Sequence, residues 1–192
     1  MCLTPFHYGV AYLIKRACKK LNLAGLAVGA VIPDIEAPIV LAYLIWIQGV
    51  PLQSILAREI DPRTFYVLHV PLYGIPLATA LGVVAVLTVY RFVVMRLLQM
   101  DRVPEELTFS RTLVVSVFTG VVSHHLIDAL HHHYNPLLKP FYAGSVNALV
   151  LFGNQPLADL VVQTVCGVLT LVVVARELFR GREGLRRLAL GW

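Results

Sequence analysis

TLVVSVFTGVVSHHLIDAL, Thr112–Leu130, is apolar for most of its length and then presents Ser123, His124, His125 and Asp128 at one end. As a helix these 19 residues rise about 28 Å, close to the roughly 30 Å hydrocarbon core of a bilayer. Ionisable groups in such a segment are costly and mark function by default. Residues four apart share a helix face, so His124 and Asp128 have the spacing of two ligands to one ion. His131 and His132 continue that face, whereas His125 points roughly 100° away.

The rest of the chain supports a membrane setting. It is 58% hydrophobic and only 14% charged over 192 residues, with a mean hydropathy of +0.75. Soluble domains carry about a quarter charged residues. Gly82–Tyr90 (GVVAVLTVY) and Val161–Ala175 (VVQTVCGVLTLVVVA) suit lipid better than a globular core. The length fits one domain, 1–192. Cys2, Cys18 and Cys166 are scattered and odd in number, which implies neither a disulfide framework nor a zinc motif. Cys166 reads as a packing residue. No cleavable secretory leader is expected, because Lys15, Arg16, Lys19 and Lys20 follow the first apolar stretch instead of preceding it. The net charge of +5 does not indicate nucleic acid, since the basic residues gather at the ends of apolar runs.

An all-α, polytopic membrane bundle with about four to five embedded segments is the expected fold. Thr4-Pro5 reads as an N-cap and first helical position, with a short helix running to about Lys20. Asn22–Ile32 is a second short segment, rich in small residues that allow close packing, and Pro33-Asp34 breaks it. Both are too short to span alone and read as a helical hairpin buried against other helices. Pro38–Ile47 is a further apolar segment, followed by a polar stretch with Arg58, Glu59, Asp61 and Arg63. Phe65–Met95, Thr112–Leu130 and Gln155–Leu178 are the expected spans. Met100–Ser110 and His131–Gly144 read as loops, and an arginine-rich tail ends the chain.

Thirteen of the 16 Lys and Arg residues fall in three groups, Lys15–Lys20, Arg91–Arg111 and Arg176–Arg187. The positive-inside rule puts these groups in the cytoplasm and predicts a multi-pass inner or plasma membrane protein. Threading the chain accordingly brings His7, Asp34, His69, His124 and Asp128 to one level, towards the outer face. Carboxylates and imidazoles together are the donor set of a divalent metal, zinc first among them. These five are the expected ligands: Asp34, His69, His124 and Asp128 converging, with His7 at the edge. Asp34 also suits the N-cap of the following segment, and the two roles are compatible because a carboxylate has two oxygens. His131, His132 and His133 read first as a polar helix end surfacing at the interface, and second as the mouth of a site. Asp159 reads as compensation of a helix dipole in the first turn of the last span.

Several of these residues carry a family likeness. His7 near the N-terminus, Pro33-Asp34-Ile35-Glu36 after a small-residue segment, and Ser123-His124 with Asp128 followed by Tyr134-Asn135-Pro136-Leu137-Leu138-Lys139-Pro140-Phe141 resemble the inner-membrane-associated metal-dependent hydrolases. The resemblance covers most of residues 1–141, and the last span matches only in hydropathy. It implies His7, Asp34, His69, His124 and Asp128 as the polar cluster, with distant similarity to zinc-dependent phospholipase C and its nuclease relatives. The chain departs from the family at its middle motif, which there reads His-Arg-x-x-x-His-Ser. Here only Leu68-His69-Val70 remains, without the partner histidine and serine of a second metal position.

The expected function is therefore hydrolysis of a lipid or lipid-linked ester, a phosphoester above all, by metal-activated water. Glu36, His131 or His132 is the expected general base. The alternatives are a metal or proton transporter, since buried imidazole and carboxylate also build ion pathways, and a membrane protein whose metal only pins its helices.

Overall fold

The computed structural model describes residues 6–35, 37–56, 74–131, 137–138, 141 and 150–191, with the backbone alone at 37–41 and 55–56. Among the described residues the structure is helical, without strands. The helices are α1 (His7–Ala17), α2 (Leu23–Val31), α3 (Ala37–Trp46), α4 (Leu52–Leu56), α5 (Ile75–Leu98), α6 (Arg111–Ala129), α7 (Gln155–Leu178) and α8 (Gly181–Leu190). Three of them, α5, α6 and α7, are long and apolar enough to cross a membrane. The start expected for the first span at Phe65 lies outside the described residues. Its end falls at Leu98, three residues beyond Met95, with a π-helical stretch at Val86–Tyr90 inside it. At ten residues, α3 rises about 15 Å and is too short to cross.

The packing of α2 on α6 organises the interior. Small residues let the two backbones approach closely, so that van der Waals contact holds the helices together. Gly29 lies against the Val117 carbonyl and Gly120 against the Leu26 carbonyl so tightly that a Cβ at either position would collide with backbone. Leu26, Ala30, Leu113, Val117 and Val121 fill the seam and are fully buried. Asn22 fixes the register at one end. Its side chain caps α2 by accepting from the Gly25 N–H (3.0 Å) and donates to the Glu106 carbonyl (2.6 Å), while its own N–H donates to Ser116 Oγ (2.7 Å).

Two features depart from the sequence reading. α2 ends at Val31, just before Pro33-Asp34 as expected, but Asp34 lies inside a 3₁₀ turn, Ile32–Asp34, instead of opening the next helix. Proline is tolerated at the start of such a turn because its missing N–H would be unpaired anyway. Asp34 therefore is not the N-cap of α3. The residue preceding α3 is 36, outside the described residues. The arginine-rich tail is also a helix, α8. It folds across the end of the bundle that carries the tip between α1 and α2, where Arg182 donates to the Leu98 carbonyl (2.9 Å) and Tyr90 to the Ala189 carbonyl (2.8 Å). The three basic groups thus gather at one end of the molecule, and the end of α6 bearing its histidines is at the other.

Candidate metal centre

The buried acids and histidines of the far end converge. His7, His124 and His131 are 0% exposed, Asp128 3% and Asp34 6%. Asp128 stands at the middle of the group: His124 Nε2 is 3.1 Å from its Oδ2, while His7 Nε2 (3.9 Å) and His131 Nε2 (3.8 Å) approach its Oδ1. Asp34 Oδ1 reaches His124 Nε2 at 3.6 Å from the other side. Metal–ligand bonds of about 2 Å with tetrahedral angles put ligand atoms roughly 3.3 Å apart, and the separations here run from 3.1 to 3.9 Å. His7, His124 and Asp128 offer three donor atoms within 4.8 Å of one another and can hold a metal ion.

The orientation of the imidazoles argues in the same direction. His124 Nδ1 lies 2.9 Å from the Ala30 carbonyl and His131 Nδ1 2.9 Å from the Ile127 carbonyl. A carbonyl only accepts, so each Nδ1 carries the proton and each Nε2 is turned to Asp128. Each Nε2 then meets Asp128 in one of two ways, as a protonated imidazole donating to the carboxylate or as a neutral one sharing a cation with it, and the same orientation serves both. Hydrogen bonding of the distal ring nitrogen to a backbone carbonyl is also how ligating histidines are oriented in metal sites.

Each side chain is held by a different device. His124, Asp128 and His131 follow from the helical spacing of α6 and its last turn, where the His131 N–H still donates to the Asp128 carbonyl (3.0 Å). Asp34 arrives through the 3₁₀ turn after α2, and the close α2–α6 approach brings the Ala30 carbonyl to His124. His7 depends on α7. The Thr170 hydroxyl donates to the Phe6 carbonyl (2.7 Å) and accepts from the Gly9 N–H (2.9 Å), clamping the backbone on both sides of His7. The ring of Phe6 packs on Gly167 one turn earlier. The first N–H groups of any helix lack intrahelical partners, and α1 has no side-chain N-cap of its own, so Thr170 substitutes for one.

The expected residues divide as follows. His7, Asp34, His124 and Asp128 are brought together, while Glu36, His69 and His132 lie outside the described residues. His7 is not at the edge: its ring is buried and stacks on His124 with centroids 4.3 Å apart. His131 does not surface at an interface but faces Asp128 from inside, because the turn after α6 stays helical. His125 is 3% exposed and meets His124 edge-on at 5.5 Å, so it is a packing neighbour and not a surface residue. Asp159 is buried in the second turn of α7, and the N-terminus of that helix is capped by Asn154, which accepts from the Leu157 N–H (3.2 Å). Its role as a first-turn charge is thereby excluded. Thr170 was not singled out in the sequence; a hydroxyl inside an otherwise aliphatic run is the signal that marks it.

Comparison of the chain with protein-family models, curated proteins and solved structures finds no match, so the site is argued from its own geometry.

Proposed function

We propose that the chain is a membrane-embedded metal-dependent hydrolase of the inner-membrane-associated family it resembles, acting on an ester or phosphoester of a lipid or lipid-linked substrate. The observation that carries this reading is the pair His124 and His131, each with Nδ1 on a backbone carbonyl and Nε2 turned to Asp128. His7, His124 and Asp128 would hold the ion, with Asp34 and His131 beside them. A divalent ion, zinc by its preference for such donors, supplies Lewis acidity and makes water nucleophilic at neutral pH.

The protein's own part is positional. Burial of the whole group excludes bulk water, and the two backbone carbonyls fix the imidazole tautomers in advance. His131, in the turn that follows α6, is the described residue best placed to move a proton, with Glu36 and His132 as further candidates from the sequence. In this reading α1 and α2 form a short hairpin embedded among α5, α6 and α7, giving four to five embedded segments. The basic end is cytoplasmic and the site opens towards the outer face.

The same chain of groups, His131, Asp128, His124 and Asp34, has the form of a proton relay, which supports a transporter as the second reading. Metal analysis of the purified protein, followed by assay on phospholipids with and without chelator, separates the readings. Stoichiometric metal with chelator-sensitive hydrolysis is expected. Metal without hydrolysis would leave only the pinning role, and a metal-free protein would favour the relay.

A further inference from the structure

On the side of the molecule where α8 packs, that helix closes the foot of an apolar groove between α5 and α7, which shares no residue with the candidate metal centre. The groove has a volume of about 410 Å³, within the range of small-molecule sites. Val94 and Leu98 of α5, Val174 of α7, Leu188 of α8 and the rings of Tyr8 and Tyr90 line it. Both tyrosine hydroxyls are turned to backbone, Tyr8 donating to the Leu188 carbonyl (2.6 Å) and Tyr90 to the Ala189 carbonyl (2.8 Å). Their rings are left as apolar wall, and α8 is fastened by its last carbonyls. The two long walls belong to membrane-length helices, and Val93 and Leu97 at the opening are exposed, so the groove faces the position of lipid chains.

The lining of the groove carries no charge, and the arginines stand beside its foot. On α8 the apolar stripe Leu185, Leu188, Ala189 lines the groove, and helix geometry puts Arg182 and Arg186 together along one side of that stripe, next to Ala189. The acidic groups nearby are already committed elsewhere. Glu183, on the opposite face of α8, pairs with Arg187 (2.5 Å), and Glu177 holds Arg180 through both oxygens (2.8 Å). Arg182 is bonded to the Leu98 carbonyl, a neutral acceptor at the rim of the groove, so its charge is not offset. Among the described residues no acid pairs with Arg186.

We propose that this groove binds one anionic phospholipid, with an acyl chain between α5 and α7 and the phosphate against Arg182 and Arg186. Guanidinium groups recognise phosphate oxygens geometrically as well as by charge, and basic residues beside a spanning segment select anionic headgroups. The site is separate from the metal centre and does not depend on hydrolysis.

The test is native mass spectrometry of the full-length protein released from nanodiscs holding equal parts phosphatidylglycerol and phosphatidylcholine. One retained phosphatidylglycerol is expected, in preference to phosphatidylcholine. Arg182→Gln and Arg186→Gln should each lower that retention about fivefold, the loss associated with one basic group at an anionic surface. Val174→Phe should abolish it by filling the groove. Helicity and thermal unfolding report on folding of each variant, and if Arg182→Gln or Val174→Phe fails to fold, Arg186→Gln, for which no hydrogen bond is seen among the described residues, decides the test. Equal retention of both lipids, or unchanged retention in the arginine variants, would overturn the proposal. So would a dimer disrupted by Val174→Phe with no lipid retained, because a second copy of the chain would then occupy the groove.

Discussion

His124 Nε2 lies 3.1 Å from Asp128 Oδ2, one helical turn away, while the other nitrogen of the same ring is tied to the Ala30 carbonyl of α2. The imidazole is thus fixed at both ends, and the charge lies at the Nε2 end, nearest in Asp128 and farther off in Asp34 (3.6 Å). Asp128→Asn keeps the volume and removes the nearer charge. Metal occupancy should fall by at least about tenfold, the low end of the effect of disturbing such a site. Chelator should lower the melting temperature of the wild type, because an ion bound only to the folded state stabilises it by mass action, and should leave Asp128→Asn unmoved. Equal metal content by mass spectrometry in the two proteins would remove Asp128 from the ligand set.

His125 gives the complementary case. It is buried and packs edge-on to His124, but it is not among the three residues whose donor atoms gather, His7, His124 and Asp128. His125→Ala leaves a void and should cost about 1–3 kcal/mol of stability, as core truncations commonly do. Metal stoichiometry should stay at the wild-type value in protein that remains folded. A matched loss of metal in His125→Ala and Asp128→Asn would show that four-residue spacing does not define the ligand face.

Thr170 tests whether α7 positions His7. Thr170→Val preserves shape and deletes the hydroxyl shared by Phe6 and Gly9. As a lost helix cap it should cost about 1 kcal/mol of stability. As a positioning contact for a ligand it should weaken metal affinity by about tenfold or more, and Thr170→Ser should restore it. Loss of stability with unchanged metal affinity would reduce Thr170 to a cap.

The three spans were legible for one reason: a continuous apolar run bounded by polar punctuation needs no tertiary information. Gln155–Leu178 begins after Asn154 and ends in Arg176, and the helix has those bounds. The His124–Asp128 pair was legible because helical periodicity alone sets it. The central place of His7 was not, since it rests on Thr170, 163 positions away in sequence. The burial of His131 depended on the chain staying helical past Ala129, which a run of three histidines before Tyr134-Asn135-Pro136 does not announce. α8 was hidden by its charge: four arginines between 180 and 187 draw attention from Leu185, Leu188, Ala189 and Leu190, whose spacing is that of an amphipathic helix.

Gly29 connects fold and site. A Cβ there would run into the Val117 backbone, and the next residue, Ala30, supplies the carbonyl that orients His124. Gly29→Ala should force α2 off α6 and cost about 1–3 kcal/mol, the usual penalty for overpacking. It should also lower metal affinity although it alters no ligand. Gly49→Ala serves as a control away from any such contact, since no atom lies near its added Cβ, and its strain is confined to a local positive φ of 65°. Metal affinity equal in both variants would show that His124 keeps its orientation without the close approach.

The orientation proposed for the site makes the last prediction. Arg102 and Phe152 are both exposed and lie at opposite ends of the bundle, Arg102 beside the basic groups and Phe152 beside the end of α6, where the Leu151 N–H donates to the Leu130 carbonyl (2.9 Å). In a background with Cys2, Cys18 and Cys166 replaced by serine, single cysteines at 102 and 152 can be labelled in intact cells with a membrane-impermeant thiol reagent. Positive-inside placement predicts labelling of Phe152→Cys and protection of Arg102→Cys until the membrane is opened. The reverse pattern would put the metal centre on the cytoplasmic side and redirect the substrate search to the inner leaflet. Labelling of both or of neither from outside would contradict a bundle that spans the membrane with its basic end inside. Metal content of each cysteine variant should match the wild type, so that a change in labelling is read as topology and not as unfolding.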